Sequence, residues 1–139
     1  MYKALLRFSI LLLIIAILFA LYFLFYFSNK NNKIIVEPNE YVSILEQVHN
    51  EPDKYLGKKF IISGYVYIQD DFLDNRFVIA QNVYITELSD TDPFIVGFLC
   101  ENRSSMDIQP GENIKIKGIL DKAIYNEIEY PILLVDKIQ

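Results

Sequence analysis

Twenty consecutive residues, Phe8 to Phe27, read FSILLLIIAILFALYFLFYF and carry only Ser9 and the phenols of Tyr22 and Tyr26 as polar side chains. At 1.5 Å rise per residue, about 20 apolar residues cross the roughly 30 Å hydrocarbon core, where a backbone without water must be helical. The run has no charged face, so it is expected to span a membrane and not to lie along its surface. A cleaved signal peptide is the rival reading, with Lys3 and Arg7 as its basic start. The run is longer than an ordinary signal core, and no A-x-A-like cleavage site follows it. Residues 1–27 are therefore expected to form an uncleaved signal anchor. Lys3 and Arg7 before the run are balanced by Lys30 and Lys33 after it, so charge alone does not orient it. The short N-terminal tail and the acidic segment that follows favour a single-pass cell-membrane protein whose C-terminal domain is extracytoplasmic.

The rest of the chain is long enough for one small domain with one core. Of 13 basic residues Lys3 and Arg7 precede the apolar run, whereas all 18 acidic residues follow it, which leaves that domain at about −7. Nucleic-acid binders gain most of their affinity from Lys and Arg on phosphates, so nucleic acid is not expected as a partner. The single cysteine, Cys100, excludes an intrachain disulfide and any zinc-ribbon spacing. It reads as a small buried hydrophobe.

Residues 28–38, beginning SNKNNK, read as a polar linker, and residues 39–139 as the domain. Asn39 is placed as a helix N-cap, with Tyr41, Leu45 and Val48 at helical spacing behind it. Pro52 and Gly57 bracket a second helical turn. From Lys58 the period changes to two, giving a long strand with Gly64 at its middle, a position that marks a bulge or a barrel corner. Further strands are expected at Arg76 to Val83, Phe94 to Glu101, Asn113 to Leu120 and Ile128 to Ile138, with Gly118 repeating the mid-strand glycine and Asn102 to Gln109 as loop or helical turn. The predicted fold is all-β with minor α: a five-stranded OB-type barrel preceded by a short helix and one transmembrane helix. A five-stranded sandwich or SH3-like barrel is the alternative.

No constellation for catalysis or cofactor binding stands out, so the chain is not expected to be an enzyme. Asp70, Asp71, Asp74 and Asn75 crowd one loop and could offer oxygens to a hard cation, yet the loop lacks the glycine and distal glutamate of an EF-hand. They read as a solvated acidic turn, as do Glu87, Ser89, Asp90, Thr91 and Asp92. His49 has no second imidazole or thiol near it in sequence. Tyr65, Tyr67 and Phe77 could form an aromatic platform of the kind OB domains use for stacking. The negative domain makes them core or a protein-docking face in preference to a base-stacking one.

The stretch NEPDKYLGKKFIISGYVY (Asn50 to Tyr67), with RFVI (Arg76 to Ile79), VGFLCE (Val96 to Glu101) and NIKIKGIL (Asn113 to Leu120), resembles the C-terminal domain of the YcgQ-like family. These bacterial membrane proteins accompany a larger multi-helix permease, and the resemblance implies such a partner. The family's Cys-Cys pair after R-F-x-I is replaced here by Gln81 and Asn82 after Ala80, and its Ala-Asp-Ala run by Tyr84, Ile85 and Thr86. Its thiol or metal chemistry is therefore not carried over. The expected function is a membrane-anchored envelope binding or accessory module associated with a permease. The alternatives are a metal-handling protein linked to transport and an OB-fold binder of oligonucleotide or oligosaccharide.

Overall fold

A computed structural model describes the backbone of residues 2–30, 32–84 and 92–139. Side chains are described over the same ranges except in the first helix, where they cover 12–26. The chain divides into two compact units, Met1–Lys33 and Ile34–Gln139.

The first unit is the helix α1, Tyr2–Lys30, which extends beyond the apolar run at both ends. The side chains of Lys3, Arg7 and Ser9 lie outside the described residues. From residue 12 to residue 26 every side chain is exposed, and Tyr22 stacks on Tyr26 at 6.3 Å. Among the described residues no helix is long and apolar enough to cross a membrane.

The second unit is mostly β. Its elements are β1 (Lys33–Val36), α2 (Tyr41–Asn50), a 3-10 turn (Pro52–Lys54), β2 (Lys59–Tyr67), β3 (Arg76–Val83), β4 (Phe94–Asn102), β5 (Asn113–Tyr125) and β6 (Ile128–Ile138). Among the described residues six strands thus stand where five were expected. The additional one, β1, lies in the stretch read as linker, because Ile34 and Val36 have a core to cover: Val36 is buried and Ile34 packs beside it. The sheet order is β1-β2-β3-β4-β6-β5, and β5 also pairs with β2. The pairings from β2 to β6 therefore run in a ring, with β4 and β6 parallel and the other four pairs antiparallel.

Two glycines let the ring close. Gly64 sits where β2 leaves β5 for β3, and a Cβ there would stand 2.5 Å from the Ala80 carbonyl oxygen. Gly118 adjoins the register shift in β5 opposite β6, where a Cβ would meet the Leu134 carbonyl oxygen at 2.8 Å. Inside lie Phe60, Ile62, Val66, Phe77, Ile79, Phe98, Ile116, Leu133 and Val135. One face of α2 caps this core. Tyr41 and Val48 are buried, and the Tyr41 hydroxyl donates to the Ile79 carbonyl while its ring meets Phe98 edge-on at 5.6 Å. The N-cap of α2 is Glu40, not Asn39, and no side chain caps it.

The stretch after β4 is not helical. Asn102 Oδ1 accepts from both the backbone N–H and the hydroxyl of Ser104, at 2.9 and 2.7 Å, and its amide reaches the Met106 carbonyl. Such side-chain bonds compete with a helix by satisfying the backbone locally.

Candidate aromatic groove

The strand alternation decides which aromatics reach solvent. Residues paired across strands share a face, and the register sets Tyr65 against Ala80, Val66 against Ile79 and Tyr67 against Val78. Val66 and Ile79 point into the core, so Tyr65, Tyr67 and Val78 point out. Phe77 has the parity of Ile79 and lies opposite Cys100, with 0% of its surface exposed. It is core, one of the two readings preferred for it, and so takes no place on an exposed partner-binding face. The alternation Arg76-Phe77-Val78-Ile79 already contained that answer, since Phe77 and Ile79 must share a face.

Tyr65 and Tyr67 also part company. Tyr65 donates to Asn82 Oδ1 at 2.8 Å beside Asn113, and partial burial pushes its phenol up. Tyr67 instead opens onto a groove of about 340 Å³ across the outer face of β3 and β4. The floor is Val78, Gly97 and Leu99, and the walls are aromatic: Tyr67, Phe72, Tyr125 and Tyr130, with His49 from the end of α2. That volume is at the lower end of the range of small-molecule sites.

The rings are held by one another. Phe72 meets Tyr125 at 5.5 Å and 79°, Tyr125 meets Tyr130 at 6.1 Å and 78°, and Tyr130 meets His49 at 6.4 Å and 75°. Edge-to-face pairs are the favoured arrangement of aromatic quadrupoles. Polar tips fix the wall further. The Tyr125 hydroxyl donates to Asp71 Oδ2 at 2.8 Å, with Gln69 Oε1 at 3.4 Å, and the Gln69 amide points to the Tyr67 hydroxyl at 3.5 Å. The bond to Asp71 raises the Tyr125 phenol above its ordinary value, because ionisation would remove the donated proton. His49 Nδ1 lies 2.9 Å from the Leu45 carbonyl and must be the donor there, which leaves Nε2 as an acceptor in the neutral ring.

The β5–β6 hairpin places Tyr125 and Tyr130. Its loop is Asn126-Glu127, both at positive φ (49° and 65°), the two-residue geometry whose twist matches antiparallel strands. Lys122 braces the hairpin from outside with ion pairs to Asp53 at 2.8 Å and Glu129 at 3.1 Å.

The other expected residues do not line the groove. Asp70, Asp71 and Asp74 are exposed, and Asp71 serves as the acceptor for Tyr125. Among the described residues no three His, Cys, Asp or Glu side chains group as metal ligands would. Glu87, Ser89, Asp90 and Thr91 lie outside the described residues, and Asp92 is exposed. The Cys100 thiol is buried, donates to the Phe98 carbonyl at 3.3 Å and is pushed far up by desolvation. A thiol so placed is no nucleophile.

Fold and groove together define an OB-like β domain with an open, ligand-sized aromatic cleft on its outer face. The family profile described as the DUF1980 C-terminal domain matches residues 26–139. The chain belongs to that family. No curated protein matches it. Among solved structures, it is similar to a small single-stranded DNA binding protein from Mycoplasma pneumoniae. The two are 16% identical, with 60% of this chain and 92% of that chain covered and a TM-score of 0.37.

Proposed function

We propose that this chain is a membrane-anchored binding module of the bacterial envelope, a closed OB-type barrel whose aromatic groove takes a small ligand in the service of a multi-helix permease. The groove carries the reading: Tyr67 from β2, Phe72 from the following loop, and Tyr125 and Tyr130 from the β5–β6 hairpin converge on one cleft from separate parts of the chain. In OB folds the ligand face lies on the second and third barrel strands between the first–second and fourth–fifth loops. Here β3, β4, the Gln69–Asp71–Phe72 loop and the β5–β6 turn occupy those positions. The ring of pairings from β2 to β6 supports the barrel. The 20-residue apolar run, helical within α1, supports the anchor, and the YcgQ-like resemblance of Asn50 to Tyr67 supports the permease partner. The role needs no catalytic residue.

The acidic domain favours a small ligand over an oligonucleotide. The groove lining contains no Lys or Arg, and without phosphate neutralisation stacking alone would have to supply roughly 1 to 3 kcal/mol per base against repulsion. A ligand-observed NMR screen of the full chain against small metabolites tests this, run beside a gel-shift assay with a labelled single-stranded oligonucleotide. The expected result is at least one metabolite whose binding is lost in a Tyr67→Ala/Tyr130→Ala variant, and no oligonucleotide shift at micromolar protein near physiological salt. A screen without hits, hits indifferent to that variant, or an oligonucleotide shift that the variant abolishes would each count against the proposal.

A further inference from the structure

Resting on the groove as a binding site, we infer that its ligand class is an organic cation carrying an alkylated ammonium head, held by the faces of Tyr67, Phe72, Tyr125 and Tyr130. Aromatic faces are negative and attract a cation within about 6 Å, most strongly where water is displaced, and quaternary ammonium recognition is the established use of such sites. Three observations point this way. Phe72, Tyr125, Tyr130 and His49 stand successively at 79°, 78° and 75°, so the rings that line the cleft with Tyr67 have more than one orientation, as a site around a compact cation requires. The lining has no Lys or Arg. A fixed negative charge is bonded to the wall from behind the lining: Asp71 accepts from the Tyr125 hydroxyl at 2.8 Å, and Asp70 and Asp74 lie exposed on the same loop.

The nearby cations lie outside the lining. Arg76, on the outer face of β3, donates through Nη1 to the Ile124 carbonyl at 3.1 Å, its Nε is buried without a partner, and Glu101 opposite it in register is paired with Arg103 instead. Lys122 is paired with Asp53 and Glu129. A domain of about −7 also draws cations toward its surface and repels anions. A neutral saccharide would use the same rings without drawing on this charge, and it is the reading the experiment must separate.

The full chain, reconstituted in phosphatidylglycerol nanodiscs that contain no choline, is titrated calorimetrically with choline, tetramethylammonium, 3,3-dimethylbutan-1-ol and maltose. The dimethylbutanol is the uncharged carbon isostere of choline, so the comparison isolates the charge. Choline is expected to bind about tenfold tighter than this isostere. Tyr130→Leu should abolish the preference and Tyr130→Phe should keep it, since phenylalanine retains the face, and unchanged melting of both variants excludes misfolding. Isostere and choline binding alike, or maltose alone binding, overturns the cation class; if Tyr130→Leu abolishes that binding, the groove still stands as the site. Failure of all four probes to bind overturns the cation class, and the metabolite screen then decides separately whether the groove binds anything.

Discussion

Gly64 shows how a single missing side chain sets this domain. Its neighbours Ile62 and Val66 face the core, and at Gly64 itself the backbone of β3 comes so close that a Cβ would stand 2.5 Å from the Ala80 carbonyl oxygen and 3.1 Å from Ile79 Cγ1. The first of these contacts is with backbone, which cannot rotate away. Gly64→Val is therefore expected to destabilise the domain by more than the roughly 1 kcal/mol that strand propensities span. The midpoint of thermal unfolding should fall by at least about 5 °C, and calorimetry of the variant checks this; an unchanged midpoint would mean that β2 and β3 separate there without cost. The importance of this glycine was legible in the sequence, because a glycine amid alternating Ile, Val and Tyr has no other local purpose. The fate of Phe77 was legible too, from its parity with Ile79. The partner of Tyr125 was not, since Asp71 lies 54 residues away and only the folded register brings them together.

At the scale of elements, the β5–β6 hairpin matters most, because it carries two of the four groove aromatics. The sequence indicated strands on both sides of it but not its tightness: the loop lacks the Asn-Gly or Asp-Gly signal, and β5 was expected to end at Leu120, five residues before Tyr125, where it ends. Asn126 tolerates positive φ readily, whereas Glu127 at 65° holds a conformation that side chains disfavour. Glu127→Gly supplies the preferred pair, and a stability gain of about 0.5 to 1 kcal/mol is expected, read as a raised denaturation midpoint at unchanged slope. A loss of stability would mean that the glutamate side chain contributes more than its backbone strain costs. The same limits explain β1, which was read as linker because three apolar residues, Ile34, Ile35 and Val36, are too short a run to announce a strand. Residues 103–109, expected as loop or helical turn, are loop, because Asn102 and Ser104 bond locally.

At the scale of the whole molecule, an apolar N-terminal helix precedes an acidic OB-like domain that has a ligand-sized aromatic cleft between two loops. Hydrophobic periodicity revealed the class of fold because each buried face repeats along its own strand. The groove stayed hidden because it is assembled from α2, β2, the β2–β3 loop, β3, β4 and the β5–β6 hairpin, a set of neighbours that no local pattern encodes. Fluorine NMR of the full chain labelled with 3-fluorotyrosine tests the groove most directly, since the chain has 10 tyrosines and no tryptophan. With the tightest-binding small molecule from the metabolite screen added to saturation, the resonances of Tyr67, Tyr125 and Tyr130 are predicted to shift together. Those of Tyr41, buried in the core, and Tyr55, bonded to Gln47, should stay in place. Shifts confined to tyrosines outside the groove, with Tyr67, Tyr125 and Tyr130 unmoved, would contradict the account.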